Sequence, residues 1–191
     1  MRKFLIILAV LFVILLVVGI GLFGWVKTTY NTFVTMDEEV NAAWAQLENV
    51  YQRRYDLIPN LVETVKGYAS HESEVLTQVT EARARVGGAG TPNERMQAEG
   101  ELSGALSRLL VVVENYPNLK ADQSFLSLQV QLEGTENRIS VERGRFIGAV
   151  KAYNQYLRRF PANILAGIFN FKVRETFEAA EGAQTAPKVK F

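Results

Sequence analysis

"RRYDLIPNLVETVKGYASHE", residues 53–72, carries a helical pattern of apolar side chains straight through a proline. Stepping alternately by four and three from Val40 lands on Val40, Trp44, Leu47, Tyr51, Arg54, Ile58, Leu61, Val65, Tyr68, Glu72, Val75, Val79, Ala82 and Val86. Twelve of these fourteen are apolar or aromatic, the mark of a helix that buries one narrow seam. A turn would normally reset the phase, and the phase does not slip across Pro59. Inside a helix Pro59 removes one backbone donor and clashes with the carbonyl of Tyr55, which kinks the helix. The spacing therefore predicts one long helix from about residue 36 to 86, kinked at Pro59. The competing possibility is a corner at Asp56–Asn60, with Asp56 capping a new helix whose first turn accepts proline. Glycines and Pro92 in "VGGAGTPNE" end the run.

Two further helical runs follow, with no strand-like alternation of any length. Glu94 to Asn115 stacks Leu102, Leu106, Leu109, Leu110 and Val113 before "NYPNLKAD" makes a turn, and Asp122 is placed to cap the next helix. The third seam reads Phe125, Leu128, Leu132, Thr135, Ile139, Glu142, Phe146, Ala149, Tyr153, Tyr156 and Phe160, and Pro161 stops it. At about 1.5 Å per residue these helices are about 33 Å and 58 Å long. The third overhangs the second in a three-helix arrangement, whereas a corner at Pro59 gives four helices. Either way the fold class is all-α, an antiparallel bundle of long helices.

Upstream lies a different kind of segment. Arg2 and Lys3 precede "FLIILAVLFVILLVVGIGLFGWV", 23 uncharged residues from Phe4 to Val26. That is about 34 Å of helix, enough to cross the ~30 Å hydrocarbon core of a bilayer. The run is too long for a cleaved signal peptide, and Trp25, Lys27 and Tyr30 form an interfacial belt. The expected organisation is a basic flank over 1–3, a transmembrane anchor over 4–26, a bundle over 27–160 and an aromatic tail over 161–191. The positive-inside rule, by a margin of one or two charges, favours a cytoplasmic N-terminus and an outward-facing bundle.

The whole chain of 191 residues has a net charge of +1. Without residues 1–26 it holds 19 basic and 20 acidic residues, so it is close to neutral and offers no field to gather nucleic acid. The absence of cysteine excludes disulfides, thiolate metal sites and thiol nucleophiles. The sole histidine, His71, has no partner histidine, so neither a zinc site nor a di-iron bundle can be built on it. "GGAG" at 87–90 lacks the strand before it and the Gly-Lys-Ser/Thr after it that a phosphate loop needs. No cofactor or metal is expected. An active site made only of Glu and Arg, for instance in the charged run 133–145, requires a convergent pocket.

Three charges interrupt the seams: Arg54, Glu72 and Glu142. They lie either at a seam edge with their heads in water, or Arg54 and Glu142 pair across helices and fix the register. The tail gathers Phe160, Ile164, Leu165, Ile168, Phe169, Phe171 and Phe177. It either closes one end of the bundle with a short helix and strand, or docks a partner, another protomer or the bilayer interface. The terminal Lys188, Val189, Lys190 and Phe191 are basic and suit an extended arm on a neighbouring subunit or a partner's groove. Assembly contacts are accordingly expected at Phe169, Phe171, Phe177 and Lys188–Phe191.

The stretches "RRYDLIPNLVETVKGYASHE", "VTEARA", "VVENYPNLKADQSFLSLQ", "LEGTENRISVERGRF", "AVKAYNQYLRRFPANILA" and "EGAQTAPKVKF" resemble the LemA family of bacterial membrane proteins. The resemblance runs in order from about residue 27 to 191. It implies one N-terminal membrane helix, an all-helical domain and no established enzymatic activity. Genes of this family often neighbour those of a TPM-domain membrane protein and a membrane-bound zinc metalloprotease, which implies partners in membrane-protein quality control. It transfers no catalytic or ligand-binding residues. Residues and resemblance together predict a non-enzymatic, membrane-anchored scaffold that self-associates and organises partners or lipid at the bacterial inner membrane, or else an adaptor for a membrane protease.

Overall fold

The structure, a computed structural model, describes residues 2–175, and among them every regular element is a helix. The helices are α1 (Arg2–Tyr68), α2 (Ser73–Gly88), α3 (Pro92–Val113), α4 (Pro117–Lys120), α5 (Gln123–Arg158) and α6 (Ala162–Ile168). They fall into two compact units. One takes α1 up to Asn41 with Gly148–Arg174, and the other takes Ala42–Ile147 with Glu175.

α1 runs unbroken through Pro59, so there is no corner at Asp56–Asn60. The expected helix over 36–86 is also wrong in extent. The chain turns instead at Ala69–Glu72, where the Glu72 amide donates to the Ala69 carbonyl, and α2 then folds back. The reason is length. α3 spans only 22 residues, about 33 Å, and could not cover a seam of fifty residues. Folding back lets Ala69, Leu76, Val79, Ala82 and Val86 share one core with Ile58, Leu61 and Val65. The phase survives the corner because both arms face the same core.

The second unit is thus a four-helix bundle. Arg85 bonds Glu101 and Arg108 bonds Gln78, so α2 and α3 run antiparallel. Tyr51 meets Arg143 and Tyr68 meets Asp122, so α1 and α5 do too. The guanidinium of Arg83 stacks 3.7 Å from the centre of the Tyr55 ring and donates to the Tyr55 carbonyl, the oxygen that Pro59 leaves without its helical donor. A side chain at Gly87 would meet the Tyr55 hydroxyl at 3.2 Å, so glycine permits this approach of α2 to α1. α3 opens with a capping box: Thr91 accepts from the Glu94 amide, and Glu94 accepts from the Thr91 amide. Asp122 caps α5 as expected, accepting from the Phe125 amide at 2.9 Å.

In the first unit, α1 carries the fully exposed apolar stretch from Phe4 to Phe23, and Trp25 and Val26 are half-buried. This is a helix long and apolar enough to cross a membrane. Pro161 ends α5 as expected, and α6 closes on a Schellman turn: the Phe171 amide reaches back to the Ala166 carbonyl, with Asn170 at φ 59°. No strand follows among the described residues. Asn154 brackets the backbone of Arg174, donating to its carbonyl and accepting from its amide, and Arg174 grips Asp37 through two bonds of 3.0 Å.

Asp122 yields a pH test. The Phe125 amide and the Tyr68 hydroxyl hold its carboxyl below the usual range, so the native state binds fewer protons there than the unfolded chain. Its contribution is present above the ordinary aspartate value of about 3.9 and is lost as pH falls through the depressed one. Asp122→Ala should lower the melting temperature at neutral pH, and the gap to wild type should close on acidification. Melts followed by circular dichroism would show this, and a gap independent of pH would rule out a carboxylate cap.

Candidate functional site

The bundle core of the second unit contains one charged cluster, centred on α1. Arg54 is 1 % exposed, on the stripe that also buries Tyr51, Ile58 and Leu61. Its Nε donates to Glu99 Oε2 at 2.9 Å, and its Nη2 donates to the same oxygen and to the Glu99 carbonyl. Its Nη1 donates to Ser103 Oγ at 2.8 Å and to Glu136. Glu99 is fully buried, and Arg95 Nε stands 3.9 Å from its second oxygen. Burial pushes the Glu99 carboxyl up, against the opposing pull of Arg54.

These contacts correct the expected pair. Arg54 is neither at a seam edge nor joined to Glu142, whose carboxylate takes Arg145 one turn along α5. The acids that reach Arg54 are Glu99 on α3 and Glu136, which precedes Glu142 on α5. Glu99 was open to discovery in the sequence, since it lies three residues before Leu102 on the α3 stripe. Glu72, the third interruption, accepts a bond of 2.9 Å from the Tyr116 hydroxyl.

Beside the cluster lies a groove of about 220 Å³. Leu61 of α1, Leu106 and Leu110 of α3 and Leu132 of α5 make it apolar, while Glu133 and Glu136 rim it with Gln129, Ser103 and Ser107. It is smaller than the ~300–1,000 Å³ of ordinary small-molecule sites and fits one or two side chains. Among the described residues no three of His, Asp and Glu gather as metal ligands. The carboxylates of Glu99 and Glu136 neutralise the buried charge of Arg54.

The proposed assembly residues separate. Phe171 stacks on Phe33 with ring centres 4.8 Å apart and meets Tyr30 at 5.7 Å, while Phe169 meets Tyr30 at 5.0 Å. Tyr156 packs edge-on against Phe33. Both phenylalanines therefore close an aromatic cluster within the first unit. Phe177, Lys188, Val189, Lys190 and Phe191 lie outside the described residues.

A family model described as the LemA family matches residues 43–191. A magnetosome protein, MamQ 1 of Paramagnetospirillum magneticum, is 28 % identical over 182 residues, covering 82 % of this chain and 67 % of its own. The MamQ of Magnetospirillum gryphiswaldense is 26 % identical over the same shares. A protein named LemA from Metamycoplasma hominis is 22 % identical over 175 residues, covering 89 % of this chain and 78 % of its own. None of these names is an enzyme's.

Arg54→Met should destabilise the bundle by roughly 3–5 kcal/mol, because Glu99 is left buried and unpaired. Adding Glu99→Leu should recover most of that loss. The cost of the single variant should also shrink as pH falls, when the unpaired Glu99 takes a proton. Urea titrations in mild detergent measure both effects. A double variant as unstable as the single would show that the pair is not the cause.

Proposed function

The chain belongs to the LemA family, and from that premise we propose that it is a non-enzymatic, membrane-anchored helical scaffold that self-associates at the bacterial inner membrane. Its N-terminus faces the cytoplasm and its bundle faces outward. The lysine-bearing segment 188–191 of one copy enters the groove of the next. The observation that carries this reading is the complementarity of the groove to that segment. An apolar floor of Leu61, Leu106, Leu110 and Leu132 is edged by Glu133 and Glu136, and Lys188, Val189, Lys190 and Phe191 alternate base with apolar residue. Bound extended, the segment would turn Val189 and Phe191 to one side and both lysines to the other.

Other features agree. α1 passes from the apolar stretch into the bundle without an intervening loop. The buried Arg54 and Glu99 are paired with one another. The MamQ relatives are named for a magnetosome, and no relative is named for an activity. Tethering raises local concentration, so even weak docking of an arm suffices for lateral association. A head-to-tail contact of this kind does not close on itself unless its rotation permits, so it can extend over many copies.

Light scattering of the full-length protein in mild detergent tests this. We expect a mass of several subunits, reduced by Glu133→Lys and restored when Lys188→Glu and Lys190→Glu are added. A monomeric wild type would overturn self-association. It would favour the second role, an adaptor whose arm is read by a membrane metalloprotease or a TPM-domain protein.

A further inference from the structure

The stretch "RRFPANILAGIFNFKV", Arg158–Val173, contains no acidic residue, although acids and bases balance across the chain. α6 turns Ala162, Leu165 and Ala166 inward and leaves Ile164 and Ile168 in solvent, Ile168 at 68 % exposure. Phe160 is 81 % exposed, and Phe169 and Val173 are also open. Arg158 and Arg159, just before α6, and Lys172, just after it, are exposed as well. An unpartnered apolar face flanked by bases in sequence is the composition of an interfacial helix.

Position supplies the second argument. The Phe169 ring lies 5.0 Å from that of Tyr30. Tyr30 follows Val26, the last residue of the apolar stretch, by four positions, or about 6 Å of helix. The headgroup layer on each side of a ~30 Å hydrocarbon core is about 5–7 Å deep. The ring is therefore held at headgroup level whenever residues 4–26 cross a bilayer. A second copy is a poorer occupant, since one face of a seven-residue helix is far smaller than the ~800 Å² per partner of a stable interface.

We propose that α6, with Phe160 and Phe169, is a foot that lies in the headgroup layer of an anionic phospholipid bilayer. The aliphatic and aromatic side chains enter the acyl boundary, and Arg158, Arg159 and Lys172 engage lipid phosphates. This rests on the transmembrane reading of residues 4–26 and not on self-association.

The absence of native cysteine allows single nitroxide labels on the full-length chain in vesicles of phosphatidylglycerol and phosphatidylcholine. Labels go to Ile168→Cys, to Val13→Cys within the apolar stretch, and to Lys151→Cys, about 10 Å along α5 from Arg158. We expect the label at 168 to be accessible to oxygen and shielded from a water-soluble nickel chelate, and the label at 151 to show the reverse. Arg158→Gln with Arg159→Gln should weaken the shielding, roughly fivefold in partitioning for each base removed. A label at 168 as open to nickel as that at 151, with 13 deep in the bilayer, would overturn the foot and leave the anchor standing. A label at 13 open to nickel would overturn the anchor itself. Two other results would also refute the proposal: spin broadening at 168 that vanishes on dilution with unlabelled protein, and equal shielding in phosphatidylcholine alone.

Discussion

Every N–H of the Arg54 guanidinium group is committed inside the second unit, and the commitments tie three helices together. α3 is held at two successive turns, through Glu99 and Ser103, and α5 is held through Glu136. Against well-packed apolar residues such a buried pair adds little net stability. Its cost falls instead on the misaligned alternatives. The seams of α1, α2, α3 and α5 are built largely from Leu, Val, Ile and Ala, and a shift by one turn, about 5.4 Å, would still match apolar to apolar. The same shift would strand Arg54 and Glu99 in a dry core, where an unpaired charge is far more costly than a misfitted methyl group.

Much of the fold could be read from residue spacing. The apolar stretch, the α3 seam, the Asp122 cap and the stop before Pro161 each have a local cause and stand where that cause puts them, while the α5 seam holds as far as Tyr156 but not at Phe160, which lies past the end of α5 and is 81 % exposed. The corner at Ala69–Glu72 had no such mark. "YASHE" holds neither glycine nor proline, and a seam that serves one core on both sides of a turn keeps its phase, so periodicity could not separate one helix from two. Pro59 was legible, because the phase does not slip across it and the helix does run through it; the carbonyl it frees finds another donor in Arg83. The partner of Arg54 was hidden by conjecture about seam interruptions. Glu142 breaks a heptad visibly, whereas Glu99 continues a stripe whose start had been placed at Leu102.

Polar groups in both units close the ends of helices and fasten segments together. In the first unit, Asn154 and Asp37 hold Arg174, and Tyr30 and Phe33 receive the rings of Phe169 and Phe171, so residues 169–174 are fastened to the middle of α1. In the second, Tyr116 and Tyr68 secure Glu72 and Asp122 at the turns.

The distances along the chain between Arg54 and its acids have a consequence in time. Glu99 follows Arg54 by 45 residues and Glu136 by 82. At a synthesis rate of about 5–20 residues per second, the first acid emerges roughly 2–9 s after Arg54 and the second roughly 4–16 s after it. Throughout that interval the seam of α1 carries a cation with no native partner. An apolar stripe downstream of a run long and apolar enough to cross a membrane could otherwise bury itself in lipid or against a neighbouring nascent chain. A bare guanidinium on the stripe makes both outcomes unfavourable. The charge that ties three helices together in the folded bundle is thus also the one that makes burial of the bare α1 seam costly before Glu99 and Glu136 have been made.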